Sequence, residues 1–267
     1  MGNLTPIRFI VAFMLLSWRD TFAYKADVFV KLVGYPSRIV MAYFLWQTLF
    51  EHGIIRGINF KEVFTYYLLV FFLTQIFPFA RMGRSIREEI YNGNLSTYLA
   101  RGYPHAGIWL ARFFTTSVSY LLLILPVAVP LILLFGSIKA NLLTFLASVI
   151  LMLIGTLIRG QLWYLIGISS FFTEENMGTI RLFDLSERLL AGAILPLFLF
   201  PEWVISLTHA LPFAYTLYAP IDFLVRDQPT TQAWMAVCIA TGWSIALALL
   251  TRMVFHAGWK RFTAHGT

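Results

Sequence analysis

Long apolar runs separated by short charged stretches fill most of the chain, and their lengths set its architecture. A helix needs about 20 predominantly apolar residues to cross a hydrocarbon core. The runs 33–50, 63–80, 108–135, 142–172 and 233–255 meet or approach that length. Two of them, 108–135 and 142–172, exceed it, which implies tilt, kinks or extension beyond the bilayer. Pro126 and Pro130 are candidate kink points in the first of these, because proline cannot close the preceding helical turn. The second is interrupted by Arg159, Gly160 and Gln161.

Between 173 and 232 the pattern is less regular. A polar stretch carrying Glu174, Glu175, Arg181, Asp184, Glu187 and Arg188 leads into an apolar piece, 189–200, that ends at Pro201. A second piece, 203–218, is broken by Pro212. Prolines at 196, 201, 212 and 220 prevent one continuous helix. The expectation is a fifth crossing followed by short helices over 201–220 that dip back into the outer membrane face, since broken backbone at that depth must be buried in protein or face water. At the other end, the apolar core 9–16 between Arg8 and Arg19 is too short to cross and reads as an interfacial helix within 1–30. A signal peptide is the rival reading, although no small-x-small cleavage site follows. The pattern therefore predicts an all-α polytopic membrane protein with six transmembrane helices in a single membrane domain spanning 1–267.

Composition agrees. Of 267 residues 59% are hydrophobic and only 12% charged, against about 25% charged in an ordinary globular domain. The net charge of +7 would suggest nucleic acid in a soluble protein, but here the basic residues cluster in alternate loops. With a cytoplasmic N-terminus, fourteen lysines and arginines fall inside and four outside, which orients both termini to the cytoplasm. Nucleic acid is not an expected partner; membrane lipid is. The single cysteine, Cys238, lies in an apolar run and can form neither an internal disulfide nor a zinc cluster.

The most informative loop is 81–104, RMGRSIREEIYNGNLSTYLARGYP. Ile86 and Ile90 stand at i and i+4 with Arg84, Arg87, Glu88 and Glu89 around them, the mark of a short amphipathic helix. Asn92, Gly93 and Asn94 break it, and a second short helix can follow with Leu95, Tyr98 and Leu99 as its apolar face. Such a hairpin either docks on a soluble partner or rests on lipid headgroups; the pattern alone leaves both open. Within the spans, Arg38 and Arg159 are costly in lipid, by at least about 2.5 kcal/mol near a helix centre. They contact substrate or a gate, or else snorkel or pair near a helix end. Gln161 and Gln75 can hydrogen-bond between helices.

The ordered set Ile86, Glu89, Ile90, Gly93, Leu95, Ser96, Tyr98, Leu99 and Arg101 resembles the loop after the second crossing in small six-span permeases of ATP-binding-cassette (ABC) type 2 exporters. The likeness extends to Tyr43–Trp46 with Leu49 and Phe50, to 66–70, and to the late segments 192–204 and 211–220. The resemblance implies a permease subunit of an ABC exporter in the bacterial inner (plasma) membrane. It also implies separate ATPase subunits that carry ATP and Mg, and a second six-span permease or a second copy of this chain. In family terms 1–30 is an elbow helix and 81–104 a coupling hairpin, with Ile86, Arg87, Glu88, Glu89, Ile90, Gly93, Leu95, Ser96, Leu99 and Arg101 receiving the ATPase stroke. Arg38, Arg159, Gln161, Pro196, Pro201 and Pro212 are the translocation-path candidates, and the cargo is a hydrophobic or amphiphilic small molecule or lipid. One departure is that Gly102 and Tyr103 separate Arg101 from Pro104, where the family often has proline directly after that arginine.

Other classes fit less well. No G-x-x-x-x-G-K-[ST] phosphate loop occurs, so no cofactor and no ATP hydrolysis is expected on this chain. His52, His105, His209, His256 and His265 are scattered without metal spacing, and neither H-E-x-x-H nor G-x-S-x-G is present. An ion-coupled carrier would ordinarily place acids in its spans, whereas here they lie in loops or at borders. A non-transporting membrane scaffold or assembly subunit is the remaining alternative.

Overall fold

The computed structural model describes residues 25–53, 58–93, 105–173 and 177–265, and the described residues form helices joined by turns, with no strand among them. In chain order these are α1 (Lys25–Glu51), α2 (Phe60–Ile76), α3 (Phe79–Tyr91), α4 (His105–Phe135), α5 (Leu142–Ile168), α6 (Met177–Leu190), α7 (Glu202–Ala210), α8 (Tyr218–Val225) and α9 (Thr230–His265). Single 3-10 turns occupy Ser169–Phe171, Leu197–Leu199 and Pro212–Tyr215. Among the described residues four stretches are long and apolar enough to cross a membrane: Phe60–Tyr91, His105–Phe135, Leu142–Phe171 and Thr230–Lys260.

Local chemistry sets the helix ends. Asn59, in extended backbone, caps α2 by accepting from the Lys61 N–H at 3.1 Å, and Asn141 caps α5 by accepting from the Thr144 N–H at 2.8 Å. The predicted run 63–80 is divided because Pro78 has no N–H to continue the ladder, so α2 stops at Ile76 and α3 begins at Phe79. Pro126 and Pro130, by contrast, sit inside a helix that continues past both. Residues 25–30 of the expected elbow continue into α1 without a break, and the rest of that segment lies outside the described residues.

The expected fifth crossing differs most. Residues 189–200 do not form a helix: α6 runs through the polar stretch instead and ends at Leu190. Gly192, at φ +75°, supplies the left-handed residue that lets the Ala193 N–H turn back onto the Arg188 carbonyl at 2.8 Å. Pro196 and Pro201, both in extended backbone, then lead into the 3-10 turn at Leu197 and into α7. Pro212 opens the next 3-10 turn. Each proline thus marks the start of a short element, the position its missing donor allows.

The chain divides into two compact units, Met1–Phe77 with Gly107–Ile138, and Pro78–Ala106 with Lys139–Thr267. In the first, α1, α2 and α4 share a core of Ile39, Phe64, Leu68, Phe72, Ile76, Tyr120, Ile124 and Ala128. Tyr43 meets Phe60 and Phe64 edge-on at 5.4 and 5.3 Å, a geometry aromatic quadrupoles favour. Thr65 donates to the Lys61 carbonyl at 2.5 Å and accepts from the Ser137 N–H at 2.9 Å, tying the end of α4 to α2.

In the second unit α5 is the central strut. α9 packs along it, joined near one end by Thr144 and Thr230 at 2.8 Å and near the other by the Tyr164 and Phe255 rings. Lipid tails are as apolar as leucine, so helices in a membrane are held by close packing and polar contacts rather than by exclusion from water. Gly155 shows how close that packing is. A Cβ there would run into the Tyr215 carbonyl and lie 3.0 Å from the Thr216 Cα, backbone atoms that cannot step aside. In this unit α5 and α9 expose large apolar side chains such as Leu142, Leu153 and Met235, a surface suited to lipid or to another apolar face.

Gly155→Leu is therefore expected to destabilise the isolated chain in detergent by about 1–3 kcal/mol, the range for overpacking, and to lower its thermal midpoint. Gly242→Leu on α9, where nothing lies within 4 Å, should leave the midpoint near the parent value. Equal midpoints for the two variants would contradict the close seat on α5.

Candidate coupling site

The apolar stripe expected of the 81–104 loop forms and is covered from within the chain. Ile86 and Ile90 are buried on α3, and what covers Ile86 is α5. A Cβ at Gly167 of α5 would lie 2.8 Å from the Ile86 Cβ and 3.1 Å from the Gly83 carbonyl; one at Gly83 would lie 2.7 Å from the Trp163 ring. A glycine on each helix therefore brings the two backbones flush. Of the two surroundings that the pattern left open for this stripe, soluble partner or lipid headgroups, neither is what Ile86 meets here: it packs on α5, and Ile90 is buried with it. The outward face is Arg81, Arg84, Glu88 and Tyr91, spaced three and four apart and hence on one side of the helix. Arg87 is half-buried, with its guanidinium 5.4 Å from the Tyr91 ring centroid. α3 closes at Asn92 and at Gly93, whose φ of +73° suits glycine. Leu95, Ser96, Leu99 and Arg101 lie outside the described residues.

Glu89, on the flank of α3, belongs to a buried polar chain. Its carboxylate Oε2 lies 3.2 Å from His105 Nε2, and His105 Nδ1 lies 2.8 Å from the Tyr164 hydroxyl of α5. A neutral imidazole satisfies both contacts, with Nε2–H donating to Glu89 and the tyrosine O–H donating to Nδ1. His105 also stacks on Phe255 of α9, with centroids 5.6 Å apart and planes 13° apart. Sequence reasoning set His105 aside as one of five scattered histidines. It could not have linked residues 59 positions apart.

A second polar contact lies nearer the start of α3. Arg159 of α5 and Glu187 of α6 meet in two places, Nε to Oε1 at 2.6 Å and Nη2 to Oε2 at 3.1 Å. The Glu187 side chain is fully buried and that of Arg159 only 9% exposed. The guanidinium also sits 5.2 Å from the centroid of Phe79, the first residue of α3. Nη2 donates to Oε2, while Nε and Oε1 lie close without forming a hydrogen bond, so the opposite charges compensate one another where each would be costly alone at this depth. Of the two readings open for Arg159, the structure has it paired. Glu187 appeared in sequence only as part of a polar stretch, although its burial makes it the more exacting member.

The remaining candidates separate. Gln161 accepts a long contact, 3.5 Å, from the Ser244 hydroxyl of α9, a helix-to-helix role. Pro196 and Pro212 are buried and Pro201 exposed, each opening a short element. Beside them, Asp222 of α8 and Arg226, the residue just after it, pair at 3.3 Å, and Arg226 lies over the Phe198 ring at 5.1 Å. Arg38 belongs to the first unit, where it lines a cleft between α1 and α2. Among the described residues no group of three or more His, Cys, Asp or Glu side chains could hold a metal ion.

Multiple apolar helices of crossing length define a multi-pass membrane protein, and a short amphipathic helix is seated on one of them with its charged face exposed. Residues 37–266 match the model of the ABC-2 family transporter proteins, and the chain belongs to that family. It is a permease subunit of an ABC transporter, a transport component that associates with ABC ATPase partners. No curated protein and no solved structure gives a match.

Removing one member of the buried pair is expected to be costly and removing both much less so. Glu187→Ala, which leaves Arg159 buried without a counter-charge, should lose about 3–5 kcal/mol. The double change Arg159→Met with Glu187→Leu should recover most of that loss. Unfolding in detergent of the parent, Arg159→Met, Glu187→Leu and the double variant, a double-mutant cycle, measures the coupling; strict additivity would mean the pair contributes nothing.

Proposed function

We propose that this permease is the transmembrane part of an ATP-driven exporter in a bacterial inner membrane, with α3 as the element that takes up the ATPase stroke. The observation that carries the reading is the seat of α3. Its apolar side is locked onto α5 by Gly83, Gly167, Ile86 and Trp163, and its opposite side presents Arg81, Arg84, Glu88 and Tyr91. A force on that charged face cannot be absorbed by side-chain rotation at a contact that has no side chain on one side. It moves α5. Twelve residues from Gly167, about 18 Å along the helix axis, Gly155 of the same helix touches the backbone of Tyr215 and Thr216 in the broken segment. α5 thereby links the coupling helix to the segment 201–220.

In this reading the chain makes six crossings with both termini in the cytoplasm, α1 being the first and the segment from α6 onward forming a crossing with an outer re-entrant cap. The charge asymmetry of the loops supports that orientation. ATP and Mg are bound by separate ATPase subunits, and this chain holds no cofactor. A second six-span permease, or a second copy, completes the translocation path, and the cargo is a hydrophobic or amphiphilic small molecule or lipid. Surrounding membrane lipid contacts the exposed apolar faces of α4, α5 and α9.

The reading is tested in the assembled permease–ATPase complex. Arg84→Glu combined with Glu88→Arg should weaken recovery of the ATPase with the permease. Gly167→Leu should retain the ATPase but lower transport-linked ATP hydrolysis by about tenfold, a loss of roughly 1.4 kcal/mol of coupling. Wild-type transport in both would remove α3 from the coupling path. For orientation, a cysteine placed at Arg84 in a Cys238→Ala background should react with a membrane-impermeant thiol reagent in inside-out vesicles and not in intact spheroplasts; labelling in spheroplasts would invert the assignment.

A further inference from the structure

In the first unit, a cleft of about 200 Å³ opens between α1 and α2, lined by Arg38, Ile39, Ala42, Phe64, Leu68 and Phe71, with Tyr67 beside them. Every lining group except Arg38 and the Tyr67 hydroxyl is apolar. Arg38 is exposed, and among the described residues no carboxylate pairs with it. Of the two carboxylates of this unit whose side chains are described, Glu51, which accepts from Gln47 at 2.9 Å, is thirteen residues further along α1, about 20 Å at the helical rise, and Glu62 stands in the first turn of α2, before the cleft-lining positions of that helix. The contrast with Arg159 is direct: that arginine has its counter-charge built in, whereas Arg38 lines an apolar cleft without one among the described residues.

We propose that this cleft binds the acidic end of an anionic, single-chain amphiphile that the permease exports. A carboxylate or phosphate matches the guanidinium fork in charge and shape, and the first part of the attached chain lies against Ile39, Phe64, Leu68 and Phe71. The volume is below the roughly 300–1,000 Å³ that encloses a whole drug-sized ligand, so the cleft grips one end of a longer molecule. The exposed Val40, Met41, Phe44 and Leu45 on α1 offer apolar surface for the remainder. This rests on the exporter reading above and adds the charge of the cargo to it.

The experiment uses the permease–ATPase complex in nanodiscs of zwitterionic lipid, with dodecyl phosphate as probe and dodecyltrimethylammonium as its cationic counterpart. Dodecyl phosphate should bind saturably, and Arg38→Gln should weaken that binding about tenfold or more, in keeping with loss of a charge-assisted contact. Arg38→Lys should retain part of it. Phe71→Trp, which keeps the charge but fills the cleft, should weaken it as well, so the result does not depend on one variant. Unchanged binding in Arg38→Gln, or equal displacement by the cationic amphiphile, overturns the site. Arg38-dependent binding without ATP-driven accumulation of the probe in inside-out vesicles overturns its role as cargo and identifies a resident lipid-like ligand instead. Vesicles that accumulate no amphiphile of either charge break the exporter reading itself.

Discussion

In a bilayer, helices cannot be held together by driving apolar side chains out of water, because the surrounding lipid is no more polar than the protein. What holds them is contact so close that lipid cannot compete, together with polar groups that find no other partner. α5 is built on that constraint. Gly155, Gly160 and Gly167 lie along it at intervals of five and seven residues, and each admits a different neighbour: the Tyr215–Thr216 backbone, the Phe79 ring and Ile86. Between the first two, Arg159 reaches Glu187. The second unit is organised around this one strut, and the transmission proposed for it would use the same contacts that make it stable.

The large elements were legible because apolar runs of crossing length have few interpretations. The amphipathic helix was legible too, since Ile86 and Ile90 at i and i+4 among charges fit no other regular structure as well. What its apolar side packs on was not. Gly160 on α5 reads in sequence as an interruption of an apolar run, and only the fold shows that glycines there make room for another helix. Gly93 and Asn92 were readable as a stop because their effect is local.

The polar stretch before residue 190 shows the opposite difficulty. Ile180, Phe183 and Glu187 stand at i, i+3 and i+7, the inward face of a helix, but one inward position is a carboxylate. A period read from apolar residues alone misses it, and the segment reads as a loop leading to a later helix. The prolines were read as breaks, but the helix before them already ends at Leu190, ahead of Gly192, a residue the sequence did not single out as a stop. Glu187 acquires its meaning from Arg159, 28 residues away, and no local rule connects them. The Glu89–His105–Tyr164 chain was hidden for the same reason.

The Arg159–Glu187 pair also bears on how such a chain is made. Arg159 is synthesised first, on a helix apolar enough to enter the membrane by itself, and must tolerate that setting with its charge hydrated or drawn toward an interface. α6, short and carrying a carboxylate, has little reason to partition into lipid unaided. The waiting guanidinium supplies one. In the proposed six-span arrangement, insertion of α6 would be a docking event onto a helix already in place rather than an independent choice between water and lipid, and the order in which residues leave the ribosome would be part of what determines the topology.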